Sequence, residues 1–303
     1  MVVVSSLNLL VLIVGMVREE VGKTALAEGL AAGLRELGFR VGVMKPMGFL
    51  DWYRDYPVVR EGAEEGMLAS REAFEVRLLL GLRDPPELLN PLAGLVVPLN
   101  LKAFYEYRVP RSFFVYQADI MRRTVVLRVT TFRAGEPVSQ GYVNRTLLEK
   151  GLTLLSRDDV RDLLKRVNHV EEVYSPHELA AVAASRAPEA VRSCLAHLST
   201  RYRLIIVEGL GDAAWPLSDL SIDVHAVVAV APGVAVAYDP ERYKLAVKLK
   251  AEVSGEVRLE DIADYLVPRA YFRLPPLNYG ELPETRAEKI SPLIDYVARL
   301  AEA

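Results

Sequence analysis

The segment Leu9-Leu10-Val11-Leu12-Ile13-Val14-Gly15, with Gly22-Lys23-Thr24 following shortly after it, decides the fold class. An unbroken apolar run of this length, without polar alternation, suits a strand buried on both faces. Thr24 to Leu37 then takes helical spacing, with Leu26, Leu30, Leu34 and Leu37 on one face and Gly38 as its terminator. Arg40-Val41-Gly42-Val43-Met44 predicts a second strand, stopped by Lys45-Pro46. Strand, helix and strand in so short a stretch match a right-handed parallel crossover, so the chain opens as α/β.

The same alternation resumes near the other end. Ser175 to Leu198 is Ala-rich and helical, Leu204-Ile205-Ile206-Val207 and Val224 to Val230 read as buried strands, and Pro240 to Ala251 reads as a helix. Tyr265-Leu266-Val267 predicts a last strand, and Glu284 to Ala301 one closing amphipathic helix. Between these halves the pattern changes. Leu50 to Gly66 is polar and irregular, Ser70 to Leu82 helical, and Leu95-Val96-Val97 a short strand. Residues 101–133 carry seven basic side chains (Lys102, Arg108, Arg111, Arg122, Arg123, Arg128, Arg133) against Glu106 and Asp119, among seven aromatics. Val125 to Phe132 reads as a strand, Ala134-Gly135-Glu136-Pro137 as a turn and Arg157 to Val167 as a helix. The expected architecture is a doubly wound, mostly parallel sheet formed by 1–99 and 176–303, with an inserted smaller α+β subdomain over 100–175.

With 51% apolar residues and a net charge of -3 over 303 residues, the composition excludes a mainly disordered chain and a generally basic nucleic-acid binder. The window 101–133 remains the place where an anionic substrate, a nucleic acid or a partner subunit would be gripped, against the plainer reading of a packed insertion with surface arginines. The lone Cys194 excludes a disulfide scaffold, and its place in a predicted helix marks it as inert. His169, His177, His197 and His225 show no metal-ligand spacing. No Lys or Arg precedes Leu9, and the run that follows is too short to span a bilayer, so a cytoplasmic protein with no membrane contact is expected. Scarce Gln and abundant Arg point to a thermophilic source.

Gly22-Lys23-Thr24, placed between a strand and its helix, carries the chemistry. Phosphate binding needs backbone N–H donors, a helix N-terminus and a cation, and this junction supplies all three. Gly22 admits a close phosphate, Lys23 reaches terminal phosphates and Thr24 can ligate Mg²⁺. The usual motif has glycine five residues before Gly22; here that position is Val17, and the nearest earlier glycine is Gly15. Lys45 and Glu208 also fall at the carboxyl ends of predicted strands, where open α/β sheets gather functional groups, and Gly209 and Gly211 leave room there for a ligand.

Four segments in order resemble the dethiobiotin-synthetase-like ATPases, a family that includes dethiobiotin synthetase, the N-terminal domain of cobyrinic acid a,c-diamide synthase and the N-terminal domain of some phosphotransacetylases. They are Glu20-Val21-Gly22-Lys23-Thr24, Val41-Gly42-Val43-Met44-Lys45-Pro46-Met47-Gly48, the stretch from Arg71-Glu72-Ala73-Phe74 to Glu87-Leu88-Leu89-Asn90-Pro91, and Val207-Glu208-Gly209-Leu210-Gly211. The resemblance implies a P-loop NTPase fold, Mg²⁺ and ATP as ligands, a homodimer, and γ-phosphoryl transfer to a carboxylate or carbamate of a small-molecule substrate in a ligase-type reaction. It implies that Glu20, Val21, Gly22, Lys23, Thr24 and Ala25 form the phosphate loop and that Thr24 and Glu208 attend the metal. Lys45 would then face the γ-phosphate and the attacking group, and Leu274-Pro275 would line the base pocket. Glu72 stands where the family has a metal-site aspartate, with Asp51 and Asp55 in reserve. Arg18 replaces an aspartate of the family's loop, which is also one residue shorter between its glycines. No Asn-Lys-x-Asp motif is present, which favours ATP over GTP. The altered loop and Glu72 keep a rival reading open: a nucleotide-dependent regulatory or assembly ATPase that signals through the inserted segment.

Overall fold

A computed structural model describes residues 8–18, 21–254, 256–278 and 280–302. The chain begins β1 (Leu9–Gly15), α1 (Lys23–Glu36), β2 (Val41–Met44), β3 (Met47–Asp51), α2 (Tyr56–Glu65), α3 (Arg71–Leu79), α4 (Pro86–Leu89) and β4 (Leu92–Val96). It continues α5 (Leu101–Glu106), α6 (Pro110–Gln117), β5 (Thr124–Arg133), β6 (Glu136–Asn144), α7 (Arg145–Glu149), α8 (Arg157–Leu163) and β7 (His169–Val173). It closes with α9 (Pro176–Arg201), β8 (Leu204–Glu208), β9 (Ala226–Ala231), β10 (Val234–Tyr238), α10 (Pro240–Ser254), β11 (Pro268–Arg273), α11 (Pro283–Lys289) and α12 (Ser291–Glu302). The fold is mixed α/β and divides into two compact units. One holds the chain up to Pro46, Glu75–Asp84, and Leu195 onward; the other holds Met47–Phe74 and Pro85–Cys194.

The first unit is built on a sheet of order β11-β10-β9-β1-β8-β2 among the described residues. β1 lies between β8 and β9, parallel to both, and β2 extends the parallel set from β8. Every residue of β1, β2 and β8 is buried, as strands covered on both faces require. β10 and β11 depart from the doubly wound expectation: each pairs antiparallel with its neighbour, making a meander at one edge. The β9–β10 connection is the two-residue turn Pro232-Gly233, too short for the helical crossover that another parallel strand would need. Helix α1 packs on α11 and α12. The single closing helix expected over 284–301 is broken at Ile290, and Pro292, which has no backbone N–H, stands in the first turn of the new helix.

The second unit carries a sheet of order β3-β4-β5-β6-β7 among the described residues, with β3–β4 and β6–β7 parallel and the middle pairs antiparallel. Its core gathers Leu50, Leu95, Phe104, Val126, Leu147 and Leu163. The expected insertion over 100–175 differs from this division at both ends. The strand expected near 95–97 is β4, which pairs with β3 and β5 rather than with the first sheet. The stretch taken as irregular holds the end of β3 and all of α2, and α2 buries only Val59 and Gly62, which hides its periodicity. In the basic-aromatic window, Phe104 is buried and meets Phe113 and Tyr116 edge to face, both at 5.7 Å. Arg128 is also fully buried, donating to the carbonyls of Leu68, Asn90 and Pro91, so part of the window is core. No described helix is long and apolar enough to cross a membrane.

Candidate functional site

β1 ends at Gly15, and α1 starts at Lys23 after Gly22, whose φ of 81° is a left-handed conformation open to glycine. The N-cap residue, Gly22, has no side chain to offer the first turn of the helix. Lys23 is buried, and its Nζ lies 3.0 Å from where a Cβ on Gly15 would sit. The same Cβ would come within 2.5 Å of the Gly211 carbonyl oxygen, so the strand ends approach closely because residue 15 has no side chain. Part of the room attributed to Gly209 and Gly211 is thus filled by the protein itself: Gly209 N donates to Ile13 O at 2.8 Å, and the Gly211 carbonyl sits against Gly15.

At the end of β8, the buried Glu208 receives two donors on one oxygen. Thr24 Oγ1 donates to Glu208 Oε1 at 2.7 Å, and Lys45 Nζ donates to the same atom at 3.0 Å. Thr24 comes from the first turn of α1 and Lys45 directly follows β2, so three chain segments converge on one carboxylate. Parallel pairing brings them together, because β1, β2 and β8 point their carboxyl ends the same way. One turn along α1, Glu28 forms a buried ion pair with Arg286 of α11. Burial raises the Glu28 carboxyl to about 7 against the pull of Arg286, with Glu75 and Glu208 adding to the rise.

Beside Val21 and Gly22 opens a cavity of about 390 Å³. Its far wall is the Ala231-Pro232-Gly233 turn and the stretch from Leu274 to Leu277. Leu274 and Pro275, expected at a base pocket, thus lie on one cavity with the loop residues Val21 and Gly22. The turn at 231–233 was not among the expected site residues, although Pro-Gly between two apolar runs signals a tight turn. Ala25 is buried at the third position of α1. Glu20 lies outside the described residues. Arg18 is ion-paired with Asp212 at 3.4 Å.

Three further candidates lie on α3 and around β3. Glu72 is the second residue of α3 and falls in the second unit. Asp51 caps the turn after β3, accepting from the amides of Tyr53 and Arg54 at 3.0 Å, while Asp55 accepts from the Asp51 amide. Those contacts account for both as turn-forming groups. Burial pushes the Cys194 thiol up to about 12, so it stays protonated. His225 Nδ1 accepts from Leu10 N at 3.1 Å, and burial lowers its proton affinity. No cluster of three or more His, Cys, Asp or Glu suited to a metal is present among the described residues. The hydroxyl of Thr24 beside the carboxylate of Glu208 does offer the hard oxygen donors that Mg²⁺ takes when phosphates and water complete its shell. Comparison of the chain with family models, curated proteins and solved structures gives no match.

Proposed function

We propose that this chain is a P-loop ATPase of ligase type that binds Mg²⁺–ATP and transfers its γ-phosphoryl group to a carboxylate or carbamate. The observation that carries this reading is the convergence of Thr24 and Lys45 on Glu208 Oε1, next to Lys23 and a helix start whose N-cap is Gly22. The N–H groups of the first turn of α1 and the Lys23 ammonium bind the β- and γ-phosphates. Glu208 orients the Thr24 hydroxyl and the Lys45 ammonium, and Lys45 neutralises charge on the phosphoryl group as it leaves. Thr24 and Glu208 would hold Mg²⁺, which would supply further charge neutralisation when bound. The acceptor carboxylate attacks phosphorus in line, ADP departs, and an acyl phosphate ready for an amine results. Catalysis by positioning and charge asks for no covalent protein intermediate.

The test is ATP titration calorimetry with Mg²⁺, paired with phosphate release in the presence of a carboxylate and amine panel. Binding together with release that Lys45→Ala abolishes supports the ligase reading; absence of binding overturns it. One observation favours a second reading, a nucleotide-driven regulatory ATPase. The chain leaves the first unit immediately after Lys45-Pro46, so the residue facing the γ-phosphate adjoins the connection to the second unit. Tight binding with negligible release under every acceptor selects that reading.

A further inference from the structure

The cavity beside Val21 and Gly22 is walled by apolar side chains among the described residues. Its volume of about 390 Å³ accommodates a nucleobase. Among the described residues that line it, none has a nitrogen or oxygen in its side chain. Part of the backbone is also committed. Pro232, Pro275 and Pro276 have no N–H to donate. The Leu274 amide donates to Gly233 O at 3.0 Å, so both of those groups are engaged. Ala231 is paired with Val234 across the hairpin, and Pro276 O accepts from Lys289 Nζ at 3.4 Å. The side chains form a slot between Leu274, Leu277 and prolines, suited to the flat apolar faces that all nucleobases share.

We propose that this site takes nucleoside triphosphates as a class and does not select adenine. The inference rests on the nucleotide reading above and replaces the narrower preference for ATP over GTP drawn from the missing Asn-Lys-x-Asp motif. Strong selection among bases, by factors of 10⁴ or more, comes from buried polar groups left unpaired by the wrong ligand, whereas an apolar pocket discriminates only weakly. Affinity here therefore divides into a phosphate part, supplied by α1 and Lys23, and a base-stacking part that depends on ring area. Purines bind somewhat tighter than pyrimidines because their larger faces cover more of Leu274 and Leu277.

The experiment is titration calorimetry of the full chain, with Mg²⁺, against ATP, GTP, CTP and UTP, with inorganic tripolyphosphate as the ligand lacking a base. The expected result is four nucleotide dissociation constants within about tenfold of one another, and tripolyphosphate weaker than all of them. Leu277→Ala, at a half-buried position, should weaken all four nucleotides by a common factor of about five and leave tripolyphosphate unchanged. One nucleotide preferred by a hundredfold or more overturns the inference while leaving the ATPase reading standing. Tripolyphosphate binding as tightly as ATP also overturns it, because the cavity would then contribute nothing. No binding by any of the five removes the nucleotide reading and this inference together.

Discussion

Replacing Arg286 with Met should destabilise the first unit in a way that depends steeply on pH. Glu28 and Arg286 are almost wholly buried, at 2% and 1% exposure, and form an ion pair between α1 and α11. The Glu28 carboxyl is raised from 4.5 to about 7, chiefly by desolvation. Between those values the folded chain binds more protons than the unfolded one. The stabilising contribution of protonated Glu28 is therefore fully present below pH 4.5 and is lost as pH rises through 7, a change of about 3 kcal/mol. At pH 8.5, Arg286→Met removes the cation that holds the Glu28 carboxyl down, so the folded chain must either keep a bare buried carboxylate or take up a proton there, and either costs about 3–5 kcal/mol. At pH 5 Glu28 is already neutral, so the same change loses mainly packing and the 3.1 Å bond from Arg286 Nε to Asn278 O, about 1–2 kcal/mol. Urea denaturation at both pH values provides the measurement. A Trp52→Phe background lets Trp215 report the first unit alone. The double variant Glu28→Met/Arg286→Met should return to within about 1 kcal/mol of the parent at pH 8.5, since neither charge is then stranded. An equal loss at pH 5 and pH 8.5, or a double variant no better than the single, would refute the argument.

Three further outcomes follow from the same contacts. Lys23→Ala should weaken ATP at least a hundredfold by calorimetry, about 3 kcal/mol, because a charge-assisted contact to phosphate is lost; unchanged affinity would remove the phosphate-loop reading. Gly15→Ala places a methyl 2.5 Å from the Gly211 carbonyl, so the strand ends must part; nucleotide affinity should fall about tenfold, roughly 1.4 kcal/mol, and an unaltered Kd would show that the close approach is dispensable. In the second unit, Arg128→Met strips the donors from the carbonyls of Leu68, Asn90 and Pro91, and thermal denaturation should report a loss of about 3 kcal/mol or more; a loss below about 1 kcal/mol would mean that water replaces the guanidinium.

Much of the first unit was legible because its signals are local. Leu9–Gly15 and Leu204–Glu208 are unbroken apolar runs, and each sits in the sheet as a buried parallel strand. Helices α9 and α10 begin within one residue of where spacing put them, as does β5. The elements missed are those whose partners are distant in sequence or whose burial is partial. β6 begins with one exposed and two half-buried residues and β7 is exposed over four of its five, so neither shows the period that betrays a strand. β10 was overlooked because a two-residue turn merges it with β9 into one apolar stretch.

The sequence by itself determined the buried strands, the helix that starts at Gly22-Lys23-Thr24, and the chemical character of Lys45 and Glu208, since hydrophobic runs, turn glycines and charged side chains act over a few residues. Only the tertiary structure decided that Thr24 and Lys45 meet on one oxygen of Glu208, 184 and 163 residues away along the chain. It likewise decided that Glu28 is paired with Arg286 from 258 residues away, and that β4 belongs to the second sheet. Those outcomes depend on which strands exchange hydrogen bonds and which helices bury their faces together. Backbone pairing and apolar burial are nearly indifferent to sequence separation, so no local pattern records the partners that they select.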